Sequence, residues 1–338
     1  MRLQILGSRI YGVAIATSLP IALATLFPAA AEAASFTSLY VFGDSLSDTG
    51  NLYRATGNLI PPPPYFNGRL SNGPLWVEYL APKLNLTYTP QTNFAFAGAT
   101  TGTLNTTLPI FPGLQQEVNQ FTALNPVADP AALYIVWSGA NDYLGGGQQN
   151  PAIPVSNLST AIQSLAGVGA KNILVANLPD LGKLPGVIGN PPASAGLTAL
   201  SGAHNSFLAQ TLTLLSPSLS ASGVNLIPLD INALVNDALT NPAKYGFTNT
   251  TQSCIFPPPL LNPGVIPTVC TNPGEYVFWD DIHPTTATHA FIGEFAFETI
   301  SSSQAVPEPP AVAGLFVAGA FLSLAALRRK RQTVKIEL

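Results

Sequence analysis

The chain has 338 residues, of which 47% are hydrophobic and 9% are charged, and its formal net charge is −4. This length has room for one large α/β domain together with export segments. Between residues 36 and 303 the chain carries six basic and fourteen acidic residues, a net charge near −8. This net negative charge argues against nucleic-acid binding, because that function needs a cationic surface to neutralise phosphates.

The first 34 residues have the organisation of a signal peptide. Arg2 and Arg9 precede an apolar run, which ends in the small-x-small pattern AEA at residues 31–33. This order of charged, apolar and small residues is typical of a secretory signal that is removed after export. The alternative is a segment that is retained as an N-terminal anchor. The folded domain is predicted to cover residues 35–303.

An apolar run at residues 39–42 is followed by the sequence GDSLSDTG at residues 43–50. The pattern predicts a buried strand that stops abruptly and presents Ser45 at its carboxyl edge, where ligands bind in open α/β sheets. A serine in that place can act as a nucleophile if a neighbouring group takes its proton. The alternative is that Ser45 caps the helix that follows. Asp48 lies in the same run, and the sequence gives no physical reason for a catalytic role there.

Two further turns follow predicted strands and contain residues suited to binding a developing negative charge. Gly98, in the run NFAFAGAT at residues 93–100, leaves room for a backbone N–H to approach a substrate closely. Asn141, in the run WSGANDY at residues 137–143, has a side-chain amide that can donate to an oxyanion. The alternative for each is the role of an ordinary turn residue.

Apolar runs with strand character alternate along the chain with runs of helical periodicity. This alternation predicts an α/β fold in which a parallel sheet lies between helices on both faces. The predicted strands cover residues 40–42, 94–96, 133–136, 173–176 and 226–228, and the predicted helices cover residues 76–84, 115–124, 156–167, 197–215 and 287–300. Long loops rich in Pro, Gly and Asn are expected to shape a substrate cleft above the carboxyl edge: residues 57–73, 145–154, 182–195 and 241–274.

The two cysteines, Cys254 and Cys270, bracket a proline-rich loop. Their spacing lacks the partners of a metal site, and export implies an oxidising compartment, so a disulfide is predicted. In the chain-entropy model, closing a loop of this length stabilises the fold by about 3 kcal/mol. The alternative is a pair of free buried thiols.

One of the three histidines is placed where a catalytic base could lie. His204 and His289 lie in helical patterns, whereas His283 lies in the turn sequence WDDIHPT at residues 279–285. Pro284 disfavours helix at His283 and suits the start of the helix that follows.

The two acidic residues of this turn have different predicted roles. Asp280, three residues before His283, can fold back onto the imidazole and fix its tautomer, as a catalytic triad requires. Asp281 is expected to cap the helix that begins near Thr285. A compatible alternative for the whole turn is a capped helix start, whose acidic residues favour the N-terminal dipole.

Residues 304–338 form a tail of three parts. A PEP motif at residues 307–309 precedes an apolar segment at residues 311–327 and a basic cluster at residues 328–331. The apolar segment is at the short end of what a membrane helix needs, and the basic cluster would remain cytoplasmic. This order resembles the PEP-CTERM sorting signal of Gram-negative bacteria, which an exosortase recognises and cleaves. The alternative is a permanent C-terminal anchor.

Four blocks of the chain, taken in order, resemble the GDSL (SGNH) esterases and lipases. They are GDSL at residues 43–46, Gly98, GAND at residues 139–142 and DDIH at residues 280–283. The resemblance covers residues 36–303 and implies a three-layer α/β/α sandwich with a mostly parallel, five-stranded sheet of the flavodoxin-like type. It implies that Ser45 is the nucleophile, His283 the base and Asp280 its orienting carboxylate. It also implies an oxyanion hole made by Gly98, Asn141 and the backbone N–H of Ser45.

We therefore expect an exported serine esterase or lipase that hydrolyses carboxylic esters through an acyl-enzyme, without a metal or another cofactor. The expected substrates are acyl lipids, short esters or acetylated polysaccharides, and the oligomeric state is left open. The expected location is the cell surface or extracellular matrix of a Gram-negative bacterium, with a signal peptidase and an exosortase as processing partners.

The competing hypothesis is a surface-displayed carbohydrate-binding or matrix protein that keeps this fold without catalysis. The presence of a serine, an asparagine, an aspartate and a histidine in the four blocks argues against it, because binding alone does not need them all.

Overall fold

The computed structural model describes residues 35–260, 262 and 264–304. The predicted signal peptide (residues 1–34) and the predicted parts of the tail (residues 307–309, 311–327 and 328–331) lie outside the described residues. Within the described part of the chain, no helix has both the length and the apolar character needed to cross a membrane.

Four parallel strands form the central sheet in the order β1-β2-β3-β4. They are β1 (Leu39–Gly43), β2 (Leu133–Trp137), β3 (Asn172–Ala176) and β4 (Asn225–Leu229). Strands of a parallel sheet are covered on both faces and are therefore near-continuous apolar runs. All five residues of β2, in the middle of the sheet, are buried. The predicted α/β class with a parallel sheet is confirmed.

The predicted fifth strand, residues 94–96, is not a strand. It belongs to an extended stretch, the edge segment (residues 93–96), which lies along the free edge of β1. The backbone N–H groups of Phe94 and Phe96 donate to the carbonyl oxygens of Val41 and Gly43 over 2.8 and 2.9 Å.

The edge segment is too short to form a ladder with β1. A single β-bridge joins Asn93 to Val41. A 3₁₀ turn at Pro90–Thr92 precedes the segment, and Gly98 follows it with a φ of 85°. Because a left-handed residue cannot continue an extended strand, the backbone turns away after residue 97 and the sheet has four strands rather than five.

All five predicted helices are present, and most are longer than the sequence predicted. In chain order the helices of the described residues are α1 (Asn51–Ala55), α2 (Trp76–Lys83), α3 (Leu114–Leu124), α4 (Ala140–Leu144), α5 (Ala152–Gly167), α6 (Pro185–Ile188), α7 (Pro191–Ala221), α8 (Ile231–Thr240) and α9 (Thr286–Gln304). Helices α1, α4, α6 and α8 were not predicted from the sequence.

The helices form one layer on each face of the sheet, because successive strand residues point to opposite faces. On one face, α2, α8 and α9 pack against alternate strand residues that include Val41 and Ile135. On the other face, α3, α5 and α7 pack against the intervening residues, which include Phe42 and Val136. The molecule is therefore a three-layer α/β/α sandwich.

A small β region lies between α8 and α9. Strand β5 (Asn249–Ser253) pairs with β8 (Tyr276–Phe278) in parallel, and β6 (Ile255–Phe256) pairs with β7 (Thr268–Val269) in antiparallel orientation. The structure joins Cys254 to Cys270 in a disulfide with a Cα–Cα distance of 4.9 Å. Strand β8 leads directly into the turn that carries Asp280 and His283.

Candidate active site

Ser45 lies in a tight turn at the carboxyl end of β1. Gly43 ends this strand, and a Cβ atom at that position would lie 2.0 Å from the carbonyl oxygen of Trp137 on β2. Only a residue without a side chain allows β1 to approach β2 so closely just before the turn. The N–H of Ser47 closes the turn by donating to the carbonyl oxygen of Asp44 over 3.0 Å. Ser45 is thereby fixed at the edge of the sheet.

Ser45 does not cap the helix that follows. Helix α1 begins at Asn51, and the carboxylate of Asp48 accepts hydrogen bonds from the N–H groups of Gly50, Asn51 and Leu52. Asp48 thus has the helix-start role that the alternative interpretation gave to Ser45.

Three of the predicted side chains form one continuous chain of hydrogen bonds. Ser45 Oγ lies 2.9 Å from His283 Nε2. On the other side of the ring, His283 Nδ1 lies 2.8 Å from Asp280 Oδ2 and 3.0 Å from Oδ1. All three residues are buried. In this geometry an imidazole can take a proton from a serine while a carboxylate fixes the tautomer of the ring.

Further donors hold the carboxylate of Asp280 in place. Its Oδ1 accepts the N–H groups of Ile282 and His283 over 2.9 and 2.7 Å, and its Oδ2 accepts the hydroxyl of Tyr65 over 2.6 Å. Burial acts to raise the pKa of Asp280, but the electrostatic interaction with His283 and these hydrogen bonds outweigh it, so the pKa lies below its usual value. Asp280 is therefore ionised at neutral pH and can stabilise an imidazolium.

Tyr65 is a residue of the site that the sequence analysis missed. It lies 215 positions before Asp280, and its buried ring packs edge-to-face against Trp279 with centroids 6.4 Å apart. The proline-rich loop around Tyr65 has no spacing or periodicity that singles it out. Its role follows from a contact between distant segments, so no local signal could have identified it.

Asp281 does not cap a helix, which corrects the expectation from the sequence. Its Oδ1 accepts the hydroxyl of Ser253 over 2.7 Å, and its carbonyl oxygen accepts the N–H of Gly186 over 2.9 Å. The first N–H of α9, that of Thr286, donates instead to Asn72 Oδ1 over 2.8 Å. Asp281 therefore joins the turn to two neighbouring segments through Ser253 and Gly186.

The backbone at Gly98 accepts no other residue. Its φ of 85° is left-handed, and a Cβ atom there would lie 2.3 Å from Thr107 Oγ1 and 2.6 Å from Asn105 Oδ1. A substitution would therefore both strain the backbone and clash with its neighbours.

Two backbone N–H groups and one amide are placed to donate to an oxyanion. Among the described residues, the N–H groups of Ser45 and Gly98 have no hydrogen-bond acceptor. Asn141, at the start of α4, donates one amide hydrogen from Nδ2 to the carbonyl oxygen of Ala99 over 3.0 Å. This bond fixes the orientation of the amide and leaves its second hydrogen for a ligand.

The model of one protein family, GDSL-like Lipase/Acylhydrolase, matches residues 39–296. The match includes the turn of Ser45, Gly98, Asn141 and the turn of Asp280 and His283. The chain belongs to this family. It is a hydrolase that acts on ester bonds.

Several known proteins are similar to this GDSL hydrolase in sequence. A phosphatidylcholine-sterol acyltransferase of Aeromonas hydrophila is 29% identical, with 79% of this chain and 91% of the relative covered. A thermolabile hemolysin of Vibrio parahaemolyticus is 29% identical, with 80% of this chain and 65% of that protein covered. A GDSL esterase/lipase of Arabidopsis thaliana is 26% identical, with 76% of this chain and 87% of the relative covered.

Solved structures of esterases are also similar to the GDSL hydrolase. A carbohydrate acetylesterase from Sinorhizobium meliloti has a TM-score of 0.47 and 14% identity, with 78% of this chain and 98% of that chain covered. An aryl esterase of M. smegmatis has a TM-score of 0.47 and 15% identity, with the same coverage of 78% and 98%.

A cavity opens beside Ser45 in the GDSL hydrolase. The polar residues of its lining are Asp44, Ser45, Asn141, Asp180, Lys183, His283 and Thr288. The rest of the wall is mostly apolar, and it includes Leu144, Leu181, Leu184, Ile231, Val235, Val277 and Ile292. A ligand in this cavity would have its polar group at Ser45 and an apolar portion against α8 and α9.

The other two histidines of the GDSL hydrolase do not take part in this chain of hydrogen bonds. His204 Nδ1 lies 2.9 Å from the hydroxyl of Tyr143, and burial lowers the pKa of His204 to about 4. Burial and the charge of His283 lower the pKa of His289 to about 3. Both are therefore neutral at neutral pH. The residues that the structure describes contain no group of three or more His, Cys, Asp and Glu side chains that could hold a metal ion.

Proposed function

We propose that the protein is a serine esterase in which Ser45 is the nucleophile, His283 the general base and Asp280 the orienting carboxylate. The observation that carries the proposal is the unbroken path of hydrogen bonds from Ser45 Oγ through the imidazole to Asp280. Ser45 Oγ attacks the ester carbonyl carbon while its proton moves to His283 Nε2. His283 then gives this proton to the leaving alcohol, and an acyl-enzyme remains. Water then attacks the acyl carbonyl carbon while His283 Nε2 takes its proton. His283 returns that proton to Ser45 Oγ as the carboxylic acid leaves.

The oxyanion of each tetrahedral intermediate would be bound by the N–H groups of Ser45 and Gly98 and by the amide of Asn141. Two of these donors have no acceptor within the described residues, and the third has one hydrogen left for a ligand. Donors that are already oriented stabilise charge that develops in the transition state without reorganising, and each is typically worth 10²–10³ in kcat.

The substrate that this cavity fits best is an ester with an aliphatic acyl chain. The apolar wall between the sheet, α8 and α9 offers contacts to methylene groups and few polar partners to a sugar ring. The relative from Aeromonas hydrophila is named an acyltransferase, so an acyl group is also what that protein handles. Each buried methylene group contributes about 0.8 kcal/mol to binding.

A panel of p-nitrophenyl esters from acetate to dodecanoate tests this proposal. We expect kcat/KM to rise from acetate toward medium chain lengths, and a fluorophosphonate probe to label the protein. Val235 lies on the cavity side of α8 and should set the length of acyl chain that the cavity accepts. Val235→Phe should lower kcat/KM for octanoate by roughly tenfold more than for acetate, because the added ring fills space that the acyl chain would occupy.

Ala233→Phe, on the exposed side of the same helix, is the matched control and should leave this ratio unchanged. An acetate preference that Val235→Phe does not alter would place the acyl chain elsewhere. A folded protein with neither turnover nor labelling would support the non-catalytic carbohydrate-binding or matrix role instead.

We also propose that the chain is exported and processed at both ends. The signal-peptide pattern of residues 1–34 and the three-part tail of residues 304–338 support this. A disulfide between Cys254 and Cys270 fits an oxidising compartment. In a host that has an exosortase, mass spectrometry of the mature protein should find an N-terminus near Ala34 and a C-terminus near residues 307–310. Recovery of the intact Leu338 terminus from membranes would indicate a permanent anchor.

A further inference from the structure

The three proposed oxyanion donors come from three separate segments of the chain. Ser45 follows β1, Gly98 follows the edge segment, and Asn141 begins α4. No covalent neighbour fixes the distance between them, although an oxyanion hole needs its donors placed to a fraction of an ångström. Buried carboxylates join these segments.

The first carboxylate is Glu117 of α3, which is completely buried. Its Oε2 accepts the N–H of Gly43 over 2.8 Å, and its Oε1 accepts the N–H of Phe96 over 3.1 Å, an N–H that it shares with the carbonyl oxygen of Gly43 at 2.9 Å. Gly43 lies two residues before Ser45, and Phe96 lies two residues before Gly98. The Glu117 side chain therefore connects β1 to the edge segment, just before the two backbone N–H donors.

Asp48 makes a second connection between the same two segments. Its Oδ2 accepts the N–H of Ala97, the residue before Gly98, over 2.9 Å, and also the N–H of Leu52 over 3.0 Å. Its Oδ1 accepts two further N–H groups from the start of α1. The residue of the GDSLSDTG run that had no explanation in the sequence thus fixes the Ser45 turn to the Gly98 turn.

Asp142 makes the connection to the third segment. It follows Asn141 directly, and its two carboxylate oxygens accept the N–H and the hydroxyl of Thr101 over 2.8 and 2.7 Å. Because Thr101 lies three residues after Gly98, this pair holds the start of α4 against the Gly98 turn.

Burying these three carboxylates costs free energy of folding. Burial raises the pKa of Glu117 well above its usual value, although the N–H of Gly43 acts in the opposite direction, and burial also raises the pKa of Asp48 and Asp142. The neighbours of Glu117 on α3, such as Val118 and Phe121, pack against the sheet through apolar contacts alone. An apolar side chain at position 117 would therefore give a more stable core.

We propose that Glu117, Asp48 and Asp142 are positioning residues that hold the three oxyanion donors at a fixed separation. This inference rests on the proposed esterase function. An oxyanion exists only in the transition states and tetrahedral intermediates, so a loss of these bridges lowers kcat and leaves KM nearly unchanged.

The test is Glu117→Gln, which keeps the shape of the side chain but turns one acceptor oxygen into an NH₂ group that faces a backbone N–H. With p-nitrophenyl butyrate we expect kcat to fall by roughly 10–100-fold while KM stays within about twofold. An alkyl boronic acid, which forms a tetrahedral adduct with the serine, should bind more weakly by a similar factor. Val118→Ala, on the same buried face of α3, is the control: it should lower the melting temperature without changing kcat.

Asp142→Asn provides a second variant if Glu117→Gln does not fold, and we expect the same pattern at the third segment. Wild-type kcat and boronate affinity in a folded Glu117→Gln protein would reduce Glu117 to a structural role and overturn the inference. This outcome differs from a failure of the esterase proposal itself, in which the unaltered protein would neither turn over the ester nor react with a fluorophosphonate.

Discussion

Replacement of Ser45 by alanine should abolish ester hydrolysis, with kcat reduced on the order of 10⁶-fold, as when the nucleophile of a catalytic triad is removed. The reason is that His283 Nε2, 2.9 Å from Ser45 Oγ, would have no hydroxyl to deprotonate and no acyl-enzyme could form. Turnover of p-nitrophenyl esters and labelling by a fluorophosphonate should disappear together. Since the hydroxyl is a small part of a buried turn, the circular dichroism spectrum should not change.

A second serine in the same turn provides the matched control. Ser47 Oγ accepts a hydrogen bond from Trp76 Nε1 over 3.1 Å and does not contact His283. Ser47→Ala should therefore keep activity within a few fold and lower the free energy of unfolding by about 1 kcal/mol. Undiminished turnover by a well-folded Ser45→Ala protein would refute the assignment of the nucleophile.

Asp280→Asn should lower kcat by roughly 10²–10⁴ with little change in the fold. The amide keeps the shape of the carboxylate, but it lacks the charge that stabilises the imidazolium. Its NH₂ group, placed against His283 Nδ1, would also favour the tautomer with a proton on Nε2, which cannot accept the proton of Ser45. The pH–rate profile and single-turnover rates with a p-nitrophenyl ester measure this effect.

Asp281→Asn is the comparison for this prediction, because the neighbouring carboxylate has the same chemistry and a different partner. Asp281 accepts a hydrogen bond from Ser253, so its replacement should cost about 1 kcal/mol of stability and little activity. If Asp281→Asn were the damaging change and Asp280→Asn the mild one, the orienting role would belong to Asp281.

The sequence predicted the sandwich well because its signals are local. Apolar runs of strand length and helical periodicity decide β1 to β4 and the five predicted helices without reference to the rest of the chain. The prediction was wrong for residues 94–96, where an equally apolar run is interrupted by the backbone turn at Gly98. Helix α8 was missed, although Asp230 accepts the N–H of Ala233 and is a recognisable N-cap.

The candidate site shows the same difference between residues with a local sequence signal and residues without one. Ser45 could be selected because it follows a predicted strand, and His283 because the other two histidines lie in helical patterns. Asp280 could be selected by its spacing from His283. Tyr65 and Glu117 could not, since their partners are backbone or carboxylate groups in distant segments. The partner of Asp281 was predicted wrongly for the same reason: Ser253 lies on a strand that the sequence did not predict.

Ser45 and His283 share a hydrogen bond although 238 positions of the chain separate them. Synthesis from the N-terminus therefore produces Ser45 long before His283, and the two side chains meet only when the turn after β8 reaches the carboxyl edge of the sheet. Until then the proposed catalytic centre is incomplete, so we expect an unfinished chain to be inactive toward the esters of the cell that makes it. Proteolytic release of the segment after Cys270, beyond the disulfide, should remove His283 and abolish activity just as completely. We therefore expect hydrolysis to require the completed domain, and its recovery during refolding to report the docking of the turn that carries His283.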